Sequence, residues 1–175
     1  MRPNSGYTKT ELLVSIAIIT ILVALLFPII TAFLAWLRLN IAAFQLSQNW
    51  KFSRFDATGN GSVPTTLCMR EAADRIEVAQ ITGDRCENVR TWQSLIWAVK
   101  IDTHNSTLRT VSGVAGNNGA IYRVSWADTR GGMGGSWGQL GRLVLTAEGT
   151  SARKCLFLFR TDGSWNIRDN RRCYR

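Results

Sequence analysis

The sequence predicts an α+β chain: a long N-terminal α-helix, half of it transmembrane, packed on a small antiparallel β-sheet domain. Three observations predict it. Residues 12–37, LLVSIAIITILVALLFPIITAFLAWL, run for 26 positions without a charge, where about 20 suffice to cross the hydrocarbon core of a bilayer. Helical spacing then continues as far as Phe55. From residue 63 the pattern changes to short β-like runs separated by Gly, Asn and Asp.

The helix comes first. A segment apolar on all sides is too oily to be the core helix of the domain that follows, which has only about 120 residues for a core. The span is about 12–37, and the helix extends over 7–55. Beyond the span, Leu37, Ile41, Phe44, Gln48, Lys51 and Phe55 are spaced by four and three. The first three, with Leu46 and Trp50 nearby, form a broad apolar stripe that turns polar further on. Asp56-Ala-Thr-Gly59-Asn-Gly61 is a stop signal. From Tyr7 to Phe55 the rod would measure about 70 Å, half in lipid and half docked on the domain of residues 56–175.

In that domain, strands are expected over 63–69, 92–101, 121–127, 142–147, 155–161 and 165–168, the last two forming a hairpin around Asp162-Gly163. Residues 70–79, REAADRIEVA, read as a short helix with Glu71 and Arg75 one turn apart. Helix followed by sheet is the α+β order.

The formal charge is +9, from 21 basic residues, of which only Lys9, Lys51, Lys100 and Lys154 are lysines, against 12 acidic ones. Such a balance suits acidic partners, nucleic acid or anionic lipid, or simply a basic solvated surface. Arg2 and Lys9 precede the span while Arg38, Lys51 and Arg54 follow it, so charge leaves the orientation open. The cysteines do not. Cys68, Cys86, Cys155 and Cys173 all follow the span, and an even count in a small anchored domain fits disulfides in an oxidising, exported compartment. Three pairings are possible. Cys68–Cys86 with Cys155–Cys173 is favoured because each closes a short local loop, with reduced buried thiols as the other reading. No Cys-x-x-Cys pair offers a zinc site, and no other metal or cofactor is expected.

The start of the chain carries the most specific signal. MRPNSG is followed by Tyr7, Thr8, Lys9, Thr10 and Glu11, then the apolar run with Pro28 inside it. This resembles a type IV prepilin, over residues 1 to about 36. The family pattern is a short basic leader ending in Gly, an aromatic residue, a Glu five places after the cut, and a long apolar helix containing Pro. Tyr7 stands where Phe is usual, and Lys9 and Thr10 are polar where the family is usually apolar. The resemblance implies a leader of residues 1–6, cleavage by prepilin peptidase between Gly6 and Tyr7, and N-methylation of the new amine of Tyr7. It also implies a pilin-like fold and assembly with other pilin or pseudopilin subunits through Glu11 and Pro28. A carboxylate in lipid costs about 2.5–3.5 kcal/mol at mid-helix and less at an edge. A neighbouring subunit's N-terminal amine would compensate Glu11; Lys9 of the same chain, or a lipid headgroup, is the alternative. Pro28 lacks an N–H and clashes with the carbonyl of Ala24, which kinks or locally melts a helix, and local melting suits packing in fibres of this family. The implied location is the inner membrane, single-pass, with the C-terminal domain in the periplasm and later in a pilus or pseudopilus.

A second resemblance rests on Leu67-Cys68, Cys86, Trp92, Trp97, Val99 and Asp102, and on the last strand pair with Gly163: the chain is similar to H-type pseudopilins and to FimT- and FimU-like minor pilins. FimT-like pilins are associated with DNA uptake. Residues 153–175 hold seven basic and two acidic side chains, with Trp165 and Tyr174 interleaved; arginine forks grip phosphates and aromatics stack on bases. Arg168, Arg171, Arg172 and Arg175 are therefore candidate DNA contacts, with a solvated strand end as the plainer reading.

The remaining motifs are weaker. Residues 130–141, RGGMGGSWGQLG, contain six glycines but no following Gly-Lys-Ser/Thr, and read as an inter-strand loop rather than a phosphate cradle. Asp56, Thr58, Asn60 and Gly61 imitate the start of a calcium loop whose twelfth position would be Leu67, not Glu. Asn60-Gly-Ser and Asn105-Ser-Thr match glycosylation sequons, which arise readily by chance. His104 is the sole histidine and has no evident catalytic partners. A non-enzymatic subunit is expected.

Overall fold

The computed structural model describes residues 8–59, 64–83, 85–108, 110–111, 120–126, 141–158 and 164–173. The chain is an α+β fold: one long apolar N-terminal helix and two four-stranded antiparallel sheets. It divides into two compact units at Leu34/Ala35.

Helix α1 runs over Lys9–Gly59. In the first unit it is a bare apolar rod, long and apolar enough to cross a membrane. Its few polar side chains are satisfied by the helix itself. The hydroxyl of Ser15 donates to the carbonyl of Glu11 at 2.7 Å, that of Thr20 to Ile16 and Ala17, and that of Thr31 to Phe27 and Pro28. This back-bonding removes most of the cost of hydroxyls in an oily environment. The helix continues unbroken through Pro28, so the isolated chain shows no local melting at that residue.

In the second unit, α1 buries Ala35, Leu39, Ala42, Ala43, Leu46, Trp50 and Ala57, an i, i+3/i+4 series. Four of the seven are alanine, which lets the helix axis lie close to the sheets. The stripe read from sequence falls elsewhere: Leu37, Ile41 and Phe44 face outward, and only Leu46 and Trp50 belong to the core. The helix also passes the expected end at Phe55 by one turn. Ala57 is buried there, and Gln80 clamps the turn, its amide donating to Asp56 while its carbonyl accepts from the buried Ser53 hydroxyl at 3.1 Å. The helix ends at Gly59, inside the Gly-rich stop.

The strands are β1 (Thr65–Ala72), β2 (Arg75–Thr82), β3 (Gln93–Trp97), β4 (Val99–Ile101), β5 (Tyr122–Trp126), β6 (Arg142–Ala147), β7 (Arg153–Leu158) and β8 (Trp165–Asp169). The first sheet has the order β3-β2-β1-β5 and the second β4-β6-β7-β8. One core lies between α1 and both sheets, with Leu67, Met69, Ile76, Val78, Trp126, Leu143, Leu145 and Leu156 at its centre. Glu71 links the sheets, its carboxylate accepting from the Ile101 amide at 2.8 Å.

Two local expectations are corrected. Residues 70–79 form no helix. They are the second half of β1, a two-residue turn at Ala73-Asp74, and most of β2, in full register from Ala72↔Arg75 to Thr65↔Thr82. Ile76 and Val78 are buried while Arg75 is exposed and Glu77 half-buried, the period-2 pattern of a strand, and Arg70 is tied across to Glu77 by two hydrogen bonds of 2.9 and 2.7 Å. The expected single strand over 92–101 is two strands in different sheets. Ala98, at φ 59°, ends β3, and its amide donates to the Asp74 carbonyl at 2.7 Å as the chain switches sheets.

Candidate functional site

The N-terminus of α1 is closed by two residues. Thr8 precedes the helix, and its amide and hydroxyl both donate to one carboxylate oxygen of Glu11, at 3.0 and 2.9 Å. The Glu11 amide donates back to the Thr8 hydroxyl at 3.2 Å. This is a capping box, which satisfies otherwise orphaned amides of the first turn, and it places an acidic group where the helix dipole favours one. Glu11 thus bonds Thr8 rather than Lys9. The signal was legible as Thr8-x-x-Glu11 before an apolar run, yet Thr8 is absent from the residues singled out by sequence. Gly6 and Tyr7 lie outside the described residues, and Pro28 lies far along the same helix.

Past the apolar run, the outward face of α1 still carries large apolar side chains, with Gln48 and the exposed Lys51 among them. Phe44, Phe52 and Phe55 are 61, 62 and 75 % exposed, and Ile41 lies on the same side. In a water-soluble domain such a row is costly to leave in contact with water.

Both disulfides join the cysteines by nearest loop, Cys68–Cys86 and Cys155–Cys173. The first lies with Val111 and Ile121 in a small apolar cluster that Trp92 and Ile81 partly cover, and the guanidinium of Arg70 stands 4.2 Å from the centre of the Trp92 ring. The second ties β7 to the closing 3-10 turn Asn170–Cys173.

Strand register gathers a basic face around that second disulfide. Arg142 is opposite Phe157, Arg153 opposite Thr146, and Arg168 opposite Cys155, which puts all three arginines on one side of the sheet. Arg142 donates to the carbonyls of Asn105 and Cys173 at 2.8 and 2.9 Å. Arg168 lies 5.2 Å from the centre of the Phe157 ring, and Arg153 stands 3.9 Å from Asp102. Lys154 points to the opposite face and pairs with Asp169. Of the other arginines named from sequence, Arg171 and Arg172 fall in the closing turn with their side chains outside the described residues, and Arg175 is outside them altogether. Arg142 and Arg153 were not among the candidates, because only strand register brings them together.

No protein-family model matches the chain, and no curated protein or solved structure matches it significantly.

Among the described residues of the domain, two ionisable groups are shifted. Burial holds the Tyr122 hydroxyl above its ordinary pKa, the nearby negative charge of Glu71 adds to this, and a hydrogen bond with Ser106 opposes it. The hydrogen bond from Lys100 to Glu148, at 2.6 Å, raises the ammonium pKa. Among the described residues no group of three His, Cys, Asp or Glu side chains is placed to hold a metal.

Proposed function

We propose that this chain is a minor pilin or pseudopilin, a non-enzymatic subunit of a type IV pilus or type II secretion filament. In this reading residues 1–6 are a leader, prepilin peptidase cuts between Gly6 and Tyr7, and the new Tyr7 amine is methylated. Residues 12–37 hold the subunit in the inner membrane with its disulfide-bonded domain in the periplasm until it joins a filament. The observation that carries the reading is the outer face of α1, which leaves Ile41, Phe44, Phe52 and Phe55 exposed well beyond the length a bilayer needs. A helix serving only as an anchor gains nothing from that surface; one that packs among other helices does. Intact-mass analysis of the protein from its native membrane tests this directly. A methylated N-terminal Tyr7 is expected, and a mature chain that retains Met1 or Arg2 defeats the reading.

In a bundle, Glu11 would exchange its Thr8 bonds for the charged amine of a neighbour, so the carboxylate is held in place beforehand and costs little in the free subunit. This supports its role as the residue that sets subunit stagger.

A second reading, DNA capture, is favoured by the grouping of Arg142, Arg153 and Arg168 on one sheet face next to a turn carrying Arg171 and Arg172. Phosphate contacts by such a face would weaken steeply with salt. The full chain in detergent should then bind duplex DNA at low salt, and Arg168, Arg171 and Arg172 replaced together by Ala should weaken it. No salt-sensitive binding rejects this reading and leaves the first untouched.

A further inference from the structure

Trp97 occupies an unusual place. Among the described residues after α1, the large apolar side chains left exposed are Trp97, at 53 %, and Ile167, at 36 %. Two irregularities aim the indole outward. Between the pairs Arg75↔Trp97 and Glu77↔Ser94 the register shifts, so β3 carries one extra residue opposite Ile76. Such a bulge reverses the alternation of side chains: Leu95 is buried, and Trp97, which would otherwise follow it inward, is turned out. Ala98 then takes its left-handed conformation, and the chain re-enters the core at Val99 and Ile101.

What Trp97 meets on turning out is the helix at a defined height. The Arg38 guanidinium lies 3.7 Å from the centre of its ring. Arg38 is the first charge after the apolar run of residues 12–37. Trp36, two residues earlier, is also exposed. The turn at Gly149 reaches the same level, where an added Cβ would meet Ala35 at 3.8 Å. Tryptophan and arginine at the end of an apolar span are the residues that settle at headgroup depth, the indole among the glycerol esters and the guanidinium at the phosphates. The other charges nearby are paired locally, Arg75 with Asp74 and Lys100 with Glu148, so the patch does not call for anionic lipid.

We propose that Trp97, stacked on Arg38, seats the globular unit on the phospholipid headgroup layer, so that the unassembled subunit touches its membrane through the sheet domain as well as through the helix. The inference rests on the reading that residues 12–37 cross the bilayer.

The test uses the full chain, one copy per nanodisc, in phosphatidylcholine with or without bromine at the upper acyl positions. Subtracting the emission of Trp97→Phe, Trp36→Phe and Trp165→Phe from the parent isolates each indole. The Trp97 and Trp36 components are expected to be lost in brominated lipid, and the Trp165 component, from an indole edge-on to Trp50 in the core, retained. Loss of Trp36 alone overturns the proposal and leaves the span intact. Retention of both overturns the span reading itself. A Trp97 component that resists brominated lipid yet is shielded from aqueous acrylamide means a protein neighbour covers it, and equal quenching of Trp165 means the loss is not specific; either result overturns the proposal.

Discussion

Thr8 and Glu11 cap one another: the carboxylate takes two hydrogen bonds from Thr8, and the Thr8 hydroxyl takes one from the Glu11 amide. This arrangement separates two roles for Glu11 that the bare sequence leaves merged, a carboxylate that starts the helix and a charge awaiting an amine.

Thr8→Ala removes the cap, worth about 1 kcal/mol, and should speed amide exchange over the first turn in micelles, with Thr8→Ser restoring protection. Glu11→Gln keeps a capping partner but no charge. If charge compensation drives assembly, Glu11→Gln should assemble as poorly as Glu11→Ala while keeping its first turn protected. Lys9→Leu should leave the cap unchanged, because Lys9 takes no part in it.

Phe44→Asp with Phe52→Asp should shift the urea midpoint of the full chain little, by about 0.5 kcal/mol or less, since both rings are exposed. Co-purification with neighbouring subunits should be lost. A variant that assembles normally would remove the main support for a role of this face in packing.

The turn of the first hairpin carries Ala73 at φ 57°, where a side chain costs about 1–2 kcal/mol and glycine nothing of the kind. Ala73→Gly should therefore raise the urea midpoint, by about 1 kcal/mol once the added chain entropy is subtracted. A lower midpoint would mean that the turn is not strained.

Each disulfide closes a loop with a sequence separation of 18, so replacing either pair by serine should cost about 3 kcal/mol by urea unfolding. Loss of Cys68–Cys86 should also open the cluster under Trp92, read as faster acrylamide quenching than in the Cys155, Cys173 variant.

Tyr122 has a raised pKa in the folded chain because its buried hydroxyl resists ionisation. The unfolded state therefore loses its proton first, and stability that is full below about pH 10 declines as pH rises through the unfolded and then the folded pKa. Lys100, also raised, acts in the same sense. Denaturation from pH 8 to 11 should thus show an alkaline decline that is shallower, but not abolished, in Tyr122→Phe.

The elements legible in sequence were those with a strong single period. The apolar run, the strand over Arg142–Ala147 and the local cysteine pairings needed no tertiary information. What sequence hid was decided by partners elsewhere in the chain. Arg70-Glu-Ala-Ala-Asp-Arg75 contains good helix formers, and the strand won because Ile76 and Val78 reach a core built by α1 and the second sheet. The outer stripe of α1 was visible as a period; which side it faced was not, since two apolar stripes share that helix and only the alanine-rich one fits close against the sheets. The basic face needed register to join Arg142, Arg153 and Arg168 across three strands.

The hydroxyls of Ser15, Thr20 and Thr31 have one further consequence. Each spends its hydrogen on its own backbone, and no side chain between Glu11 and Arg38 carries a charge. Two such helices laid together would slide along most of their length as on a greased shaft, with no hydroxyl to catch on. In the proposed filament the Glu11 carboxylate would be a charged notch near one end of that shaft, and moving it by a turn would re-space a whole stack.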